Sequence, residues 1–184
     1  VRPSMTTSLR SSRTDMPVEF TFDQAKCTGC QACVLACTIE NNLDYTRSWR
    51  KVHTFNERNI PDLPVQHLSL ACNHCETPAC LLACPANAYC KDDATGFVVL
   101  EADKCIGCRY CAWACPFGAP QFNPKSRVIG KCTFCDGRQA EGKAPACVVS
   151  CPTGALEIAN RRKHRSHERI TGFPETDLGP AISI

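Results

Sequence analysis

The stretch Lys104-Cys105-Ile106-Gly107-Cys108-Arg109-Tyr110-Cys111-Ala112-Trp113-Ala114-Cys115-Pro116 decides how the rest of the chain is read. Three cysteines at two-residue gaps wrap three corners of a cubane iron–sulfur cluster, and a fourth thiolate completes such a site. The same spacing occurs at Cys27, Cys30, Cys33 and Cys37. Two looser quartets follow the same plan: Cys72, Cys75, Cys80 and Cys84 before Pro85, and Cys132, Cys135, Cys147 and Cys151 before Pro152. Together these quartets take sixteen of the seventeen cysteines. Four quartets imply four clusters, and four clusters in a row make a path for electrons.

Disulfides and zinc are the rival uses of so much cysteine. Secreted disulfide scaffolds reach this density. Here, however, the count is odd, the quartets repeat regularly, and no secretory signal is read in the opening residues. Structural zinc sites join two separated Cys-x2-Cys pairs. That pattern leaves the fourth quartet, taken alone, open between zinc and iron. The triple runs of the first and third quartets favour iron.

An internal repeat ties the set together. Val18 to Cys30 parallels Phe97 to Cys108, each a β-prone stretch leading into Lys-Cys-x-Gly-Cys. Pro78-Ala-Cys80-Leu-Leu-Ala-Cys84-Pro85 parallels Pro145-Ala-Cys147-Val-Val-Ser-Cys151-Pro152. The three-residue gap closing each quartet is one helical turn, so short helices are expected at each. Proline after Cys84, Cys115 and Cys151 should end three of them. Cys37 has no such proline, and its helix should run on through Glu40. Strands are expected around Leu68, Leu70 and 97–100, with turns at 61–64 and 117–120.

The 184 residues allow one compact domain or two small ones. The formal charge is +3, but cluster ligands are thiolates, and four clusters of about −2 each would bring the folded protein near −5. Lys26, Lys104, Arg109 and Lys131, beside the cysteines, read as counter-charges, and nucleic acid is not implied. No stretch is long and apolar enough for a membrane helix. Residues 1–17 are expected to form a flexible arm, and 161–184 a basic segment with an extended tail, open between partner-binding and free.

Several motifs now converge on one family. Cys72-Asn-His-Cys75-x-x-Pro78-x-Cys80, Gly96-Phe-Val-Val, Asp103-x-Cys105-Ile-Gly-Cys108-Arg-Tyr-Cys111 and Ala114-Cys115-Pro116-Phe-Gly-Ala-Pro-Gln-Phe resemble the iron–sulfur subunit of dimethyl sulfoxide reductase-type molybdoenzymes. The resemblance implies an α+β fold of two interleaved bacterial-type ferredoxin-like halves related by a pseudo-twofold repeat, with extended terminal arms. One half would take 18–64 with 123–160, the other 65–122. It implies four 4Fe–4S clusters with exchanged fourth ligands. The first would use Cys27, Cys30, Cys33 and Cys151, and the second Cys37, Cys132, Cys135 and Cys147. The third would use Cys72, Cys75, Cys80 and Cys115, and the fourth Cys84, Cys105, Cys108 and Cys111. Nitrate-reductase relatives carry tryptophan at the position of Cys108 and a three-iron cluster there, which the cysteine here argues against.

The same resemblance implies a non-catalytic subunit relaying electrons between an integral membrane quinone-binding subunit and a molybdopterin catalytic subunit. The Cys151 cluster would face the catalytic partner and the Cys108 cluster the membrane partner. The complex would sit at the membrane through its partners, on the cytoplasmic face or exported with a signal-bearing partner. A soluble polyferredoxin serving a hydrogenase or formate dehydrogenase is the alternative. No constellation resembles a nucleophile, general base or nucleotide pocket. Cys90 is read as a small buried hydrophobe. His74 is open between a donor to cluster sulfur and a solvent-facing loop residue. Tyr110, Trp113 and Phe134 are read as shields against water. His53, His67, His164 and His167 carry no motif.

Overall fold

The computed structural model describes residues 18–44, 46–58, 60–160 and the strand Ile182–Ser183. The arm expected over 1–17 and the basic segment 161–181 lie outside the described residues. The architecture is a small α+β fold of short helices between two- and three-stranded sheets.

β1 (Val18–Phe22) pairs antiparallel with β8 (Leu156–Asn160), Phe22 facing Leu156. β9 (Ile182–Ser183) adds to the other edge of β1 in parallel. Alternation along Val-Glu-Phe-Thr-Phe sends Phe20 and Phe22 to one face, where both are buried. Phe20 stacks on Phe134 at 4.1 Å between ring centroids, and Phe134 on Phe97 at 4.9 Å. Three such rings, each worth about 1.5–3 kcal/mol on burial, anchor the core with Leu68 and Leu156.

Antiparallel pairs complete the sheets: β2 (Lys51–Phe55) with β3 (Gln66–Leu70), β4 (Tyr89–Lys91) with β5 (Val98–Leu100), and β6 (Gln121–Asn123) with β7 (Val128–Gly130). The expected strands at 68–70 and 97–100 are β3 and β5. β2, β4, β6 and β7 were not among the expectations; all but β2 are three residues long, too short for a periodic signature.

Each quartet ends on a helix. α1 (Ala32–Glu40) runs for nine residues through Cys37. α2 (Ala79–Leu82), α3 (Tyr110–Ala114) and α5 (Ala146–Val149) stop before Cys84, Cys115 and Cys151. Cys115, next to Pro116, is extended with ψ of 114°, as proline demands of the residue before it. α4 (Asp136–Ala140) occupies the stretched middle of the fourth quartet. α1 packs on α5, and α2 on α3.

The repeated segments adopt repeated conformations. Single 3-10 turns, Gln24–Lys26 and Ala102–Lys104, lead into Cys27 and Cys105. Gly29 and Gly107 both have φ of +69°, a backbone that glycine adopts without strain. Gln31 and Arg109, also left-handed, start α1 and α3.

Candidate metal centres

The fold brings thiols together across quartets. Cys27, Cys30 and Cys33 line one pocket with Cys151, beside Phe22, Val52 and Ser69. Cys72, Cys75 and Cys80 line a second with Cys115, against Val98 and the Pro116–Pro120 turn. Cys105, Cys108 and Cys84 surround Cys111. Cys147 and Cys135 stand beside Cys37, and Cys147 and Cys37 are near Cys132. The physical cause is helix pairing: α1 on α5 and α2 on α3 lay the closing turn of one quartet over the loop of another. All seventeen cysteines are free thiols. Among the described residues no three Cys, His, Asp or Glu side chains converge as donors to a single ion; the thiols are spread around the pockets instead.

Backbone amides point at these sulfurs. Ala88 donates to Cys84 Sγ at 3.4 Å, Ile129 to Cys105 Sγ at 3.5 Å and Phe134 to Cys132 Sγ at 3.4 Å. Burial raises the Cys151 thiol, but amides of Leu156, Thr153 and Ala155 and the Thr153 hydroxyl outweigh it and bring it below its usual value. Elsewhere burial dominates. It pushes Cys37 up to about 11 and Cys80 up to about 12, in each case with neighbouring thiolates adding to the rise. Burial raises Cys132 as well, with Cys72, Cys147 and Cys37 adding to the rise. Thiols held neutral by burial must lose protons to bind metal, so a bound cation core is what such sites fit.

The cations do not sit where sequence proximity places them. Lys26 pairs with Asp23 at 3.1 Å and Lys104 with Glu101 at 2.9 Å, both three residues away. Arg109 lies 3.9 Å over the Phe122 ring. Lys131 is buried and donates to the carbonyls of Val98 and Cys132; it alone of the four stands as a buried charge near thiols, Cys80 among them. The cation missed in the sequence is Arg50, 1% exposed. Burial opposes its charge, but Cys147, Cys132, Cys33 and Cys37 around it, once ionised, outweigh that and favour the protonated guanidinium.

Other expectations change. Cys90 is exposed, because Tyr89 takes the inward position on β4. His74 is buried between Phe97 and Phe134, so it is not a solvent-facing residue. Its Nδ1 accepts from the Val98 amide at 3.0 Å, which places the proton of the neutral ring on Nε2. Phe134 is core, whereas Trp113 is 78% and Tyr110 52% exposed, so neither encloses a thiol in the isolated chain. The Tyr89 hydroxyl was overlooked: it is buried near Cys111 with no hydrogen-bond partner among the described residues, and burial raises that thiol. A cavity of about 370 Å³ lies elsewhere, between β5 and the β6–β7 hairpin, and no cysteine lines it.

Residues 63–161 match the 4Fe-4S dicluster domain family. The B subunit of the anaerobic dimethyl sulfoxide reductase of Escherichia coli is 41% identical over 167 residues, covering 84% of this chain and 81% of that protein. The chain belongs to the iron–sulfur subunits of dimethyl sulfoxide reductase-type oxidoreductases. Another relative of this family, the probable anaerobic dimethyl sulfoxide reductase subunit YnfG of Escherichia coli, matches with the same identity and coverage. The thiosulfate reductase electron transfer subunit PhsB of Salmonella typhi is 38% identical, covering 74% of this chain and 72% of its own. In this iron–sulfur subunit the dicluster domain spans the second to fourth quartets, and Cys27 to Cys37 precede it. Among the described residues no helix is long and apolar enough to cross a membrane.

Proposed function

We propose that this chain carries four 4Fe–4S clusters and relays electrons between a quinone-linked membrane subunit and a molybdopterin catalytic subunit. The ligand sets are those the family resemblance implies. Cys27, Cys30, Cys33 and Cys151 hold the first cluster, and Cys37, Cys132, Cys135 and Cys147 the second. Cys72, Cys75, Cys80 and Cys115 hold the third, and Cys84, Cys105, Cys108 and Cys111 the fourth. When bound, each cluster supplies a one-electron redox centre.

The observation that carries this reading is how the sets share cores. Cys33 and Cys147 lie in one core group with Cys27 and Cys151. Cys132 lies with Cys72 and Cys115 in another. Cys80 lies with Cys84, Cys105 and Cys111 in a third. Each core therefore joins one set to the next, first to second, second to third and third to fourth. The two expected halves, 18–64 with 123–160 and 65–122, would be pseudo-twofold ferredoxin-like units. They are tied by the β2–β3 ladder, which crosses the junction at 64–65.

Exposed apolar side chains support a subunit over a free carrier. Leu82 on α2 and the stacked Tyr110 and Trp113 on α3 are exposed, with Ile106 in the ligand loop before them, and Leu35, Ile39 and Val149 are exposed on α1 and α5. Patches at the two ends of a redox chain suit one partner at each. The α2–α3 end would meet the membrane subunit and the α1–α5 end the catalytic one, holding the chain at the membrane through its partners. Anaerobic purification tests this: co-elution with a molybdenum-containing chain, and iron and acid-labile sulfide each near sixteen per chain, are expected. A monomer eluting alone with full clusters would favour the polyferredoxin alternative, and zinc in place of iron would end both.

A further inference from the structure

A buried guanidinium with donors to spare lies where the first and second sets meet. Arg50 is 1% exposed, and its carbon lies 4.5 Å from the Phe20 ring centroid, closing one side to water. Nη1 donates to Ser69 Oγ at 3.1 Å and to the Ser69 carbonyl at 3.4 Å. Nε and Nη2 have no partner among the described residues. Three unmade hydrogen bonds, one from Nε and two from Nη2, are costly for a buried cation, so such groups are normally satisfied. The ionisable side chains close enough to act on the guanidinium are thiols: Cys147, Cys132, Cys33 and Cys37.

We infer that Arg50 is a positioning and potential-setting bridge between two clusters. This rests on the ligand sets proposed above. Its spare donors serve sulfurs of the second set, three of whose four cysteines are among its neighbours. Its own backbone amide donates to Ser48 Oγ at 3.4 Å, which fixes the start of the side chain. The first set is reached through one intermediate. Ser69 Oγ accepts from Nη1 and is left with its own proton to give to Cys33 Sγ, 3.5 Å away. Hydrogen bonds and positive charge at cluster sulfur favour the reduced state, whose extra electron they stabilise. One side chain therefore raises two neighbouring potentials together, strongly at the second set and weakly at the first. A lysine could not do both, because a single ammonium lacks the planar fork that divides donors between two directions.

The test is an anaerobic redox titration of the purified complex, followed by electron paramagnetic resonance, on wild type, Arg50→Met, Arg50→Lys and Ser69→Ala. It needs no assignment of signals to clusters. Arg50→Met should lower two of the four midpoints and leave two in place. The larger shift should reach a tenfold change in the oxidised-to-reduced ratio at fixed potential, 59 mV for a one-electron couple. Arg50→Lys should give smaller shifts of the same two. Ser69→Ala should lower only the lesser mover. Unchanged midpoints in Arg50→Met with full iron would overturn the inference, as would Ser69→Ala moving a midpoint that Arg50→Met leaves alone. Should Arg50→Met fail to hold its clusters, Ser69→Ala and Arg50→Lys decide. Iron and sulfide in the wild type separate the two ideas, since fewer than four clusters there defeats the ligand sets and not the bridge.

Discussion

Changing Gly29 to alanine strains the first ligand loop in two ways that can be separated. At φ of +69° an L-residue costs roughly 1–2 kcal/mol more than glycine. The new Cβ would also stand 2.5 Å from His67 Cε1 and 2.6 Å from its Nδ1, well inside contact distance. His67 sits on β3 and must swing aside, breaking the 3.1 Å bond between its Nδ1 and Thr54 Oγ1, worth about 1 kcal/mol. The loop around Cys27, Cys30 and Cys33 then opens more easily by about 2–3 kcal/mol, or about 30- to 150-fold. Anaerobic iron release to a chelator reads this opening, and about a quarter of the iron, one cluster of the proposed four, should leave faster by that factor. Against a His67→Ala background the contact is already gone. Adding Gly29→Ala there should accelerate release only about 5- to 30-fold, the backbone share alone. Release within threefold of wild type for the single variant, or the same acceleration in both backgrounds, would refute the steric part of the reasoning.

Cys108→Ser should produce a stoichiometric three-iron signal in protein as isolated and stop electrons crossing the fourth set, as read by quinol-dependent turnover of the complex. Tyr89→Phe should lower one midpoint potential with iron content unchanged, since it removes a buried, unpartnered hydroxyl donor near Cys111. A Leu82→Asp, Trp113→Asp double variant should keep its clusters and lose co-purification with a membrane partner, because these side chains are 71% and 78% exposed. Glu40→Ala removes the 3.0 Å pair with Arg138 that ties α4 to α1. Both partners are part-exposed, so the cost should stay within about 0.2–1 kcal/mol and fade with salt, as a denaturation midpoint would show.

What could be read in the sequence is what depends on short separations. Cys-x2-Cys loops, the helical turn from Cys33 to Cys37, the proline stops and the glycines at 29 and 107 are all fixed within a few residues. Separation also explains the misplaced cations. Lys26 and Lys104 lie next to cysteines, yet carboxylates three residues back, Asp23 and Glu101, capture them first. That i,i+3 pairing was visible in the sequence and is the signal that went unused. Arg50 offered no such signal. It stands between Trp49 and the exposed Lys51 in a strand edge of mixed polarity, and only the packing of β2 on β3 turns it inward toward thiols from the first and fourth quartets. His74 and Tyr89 are alike in this respect, each defined by what lies beyond its own loop. Which thiols meet across quartets came from family likeness, since spacing within a quartet carries no information about its neighbour.

The ladder of β1 on β8 has a consequence for biosynthesis. With Val18 to Phe22 held against Leu156 to Asn160, the loop at Cys27 gains its fourth neighbour, Cys151, only after nearly all the described residues have left the ribosome. Cys84 and Cys105 to Cys111, by contrast, emerge within one short interval of synthesis. On the proposed ligand sets, cofactor loading on a nascent polypeptide would have a direction, with the fourth set, interior in the sequence, filled early and the most N-terminal loop completed last. The earliest thiols to appear are the ones left longest in need of protection from oxygen.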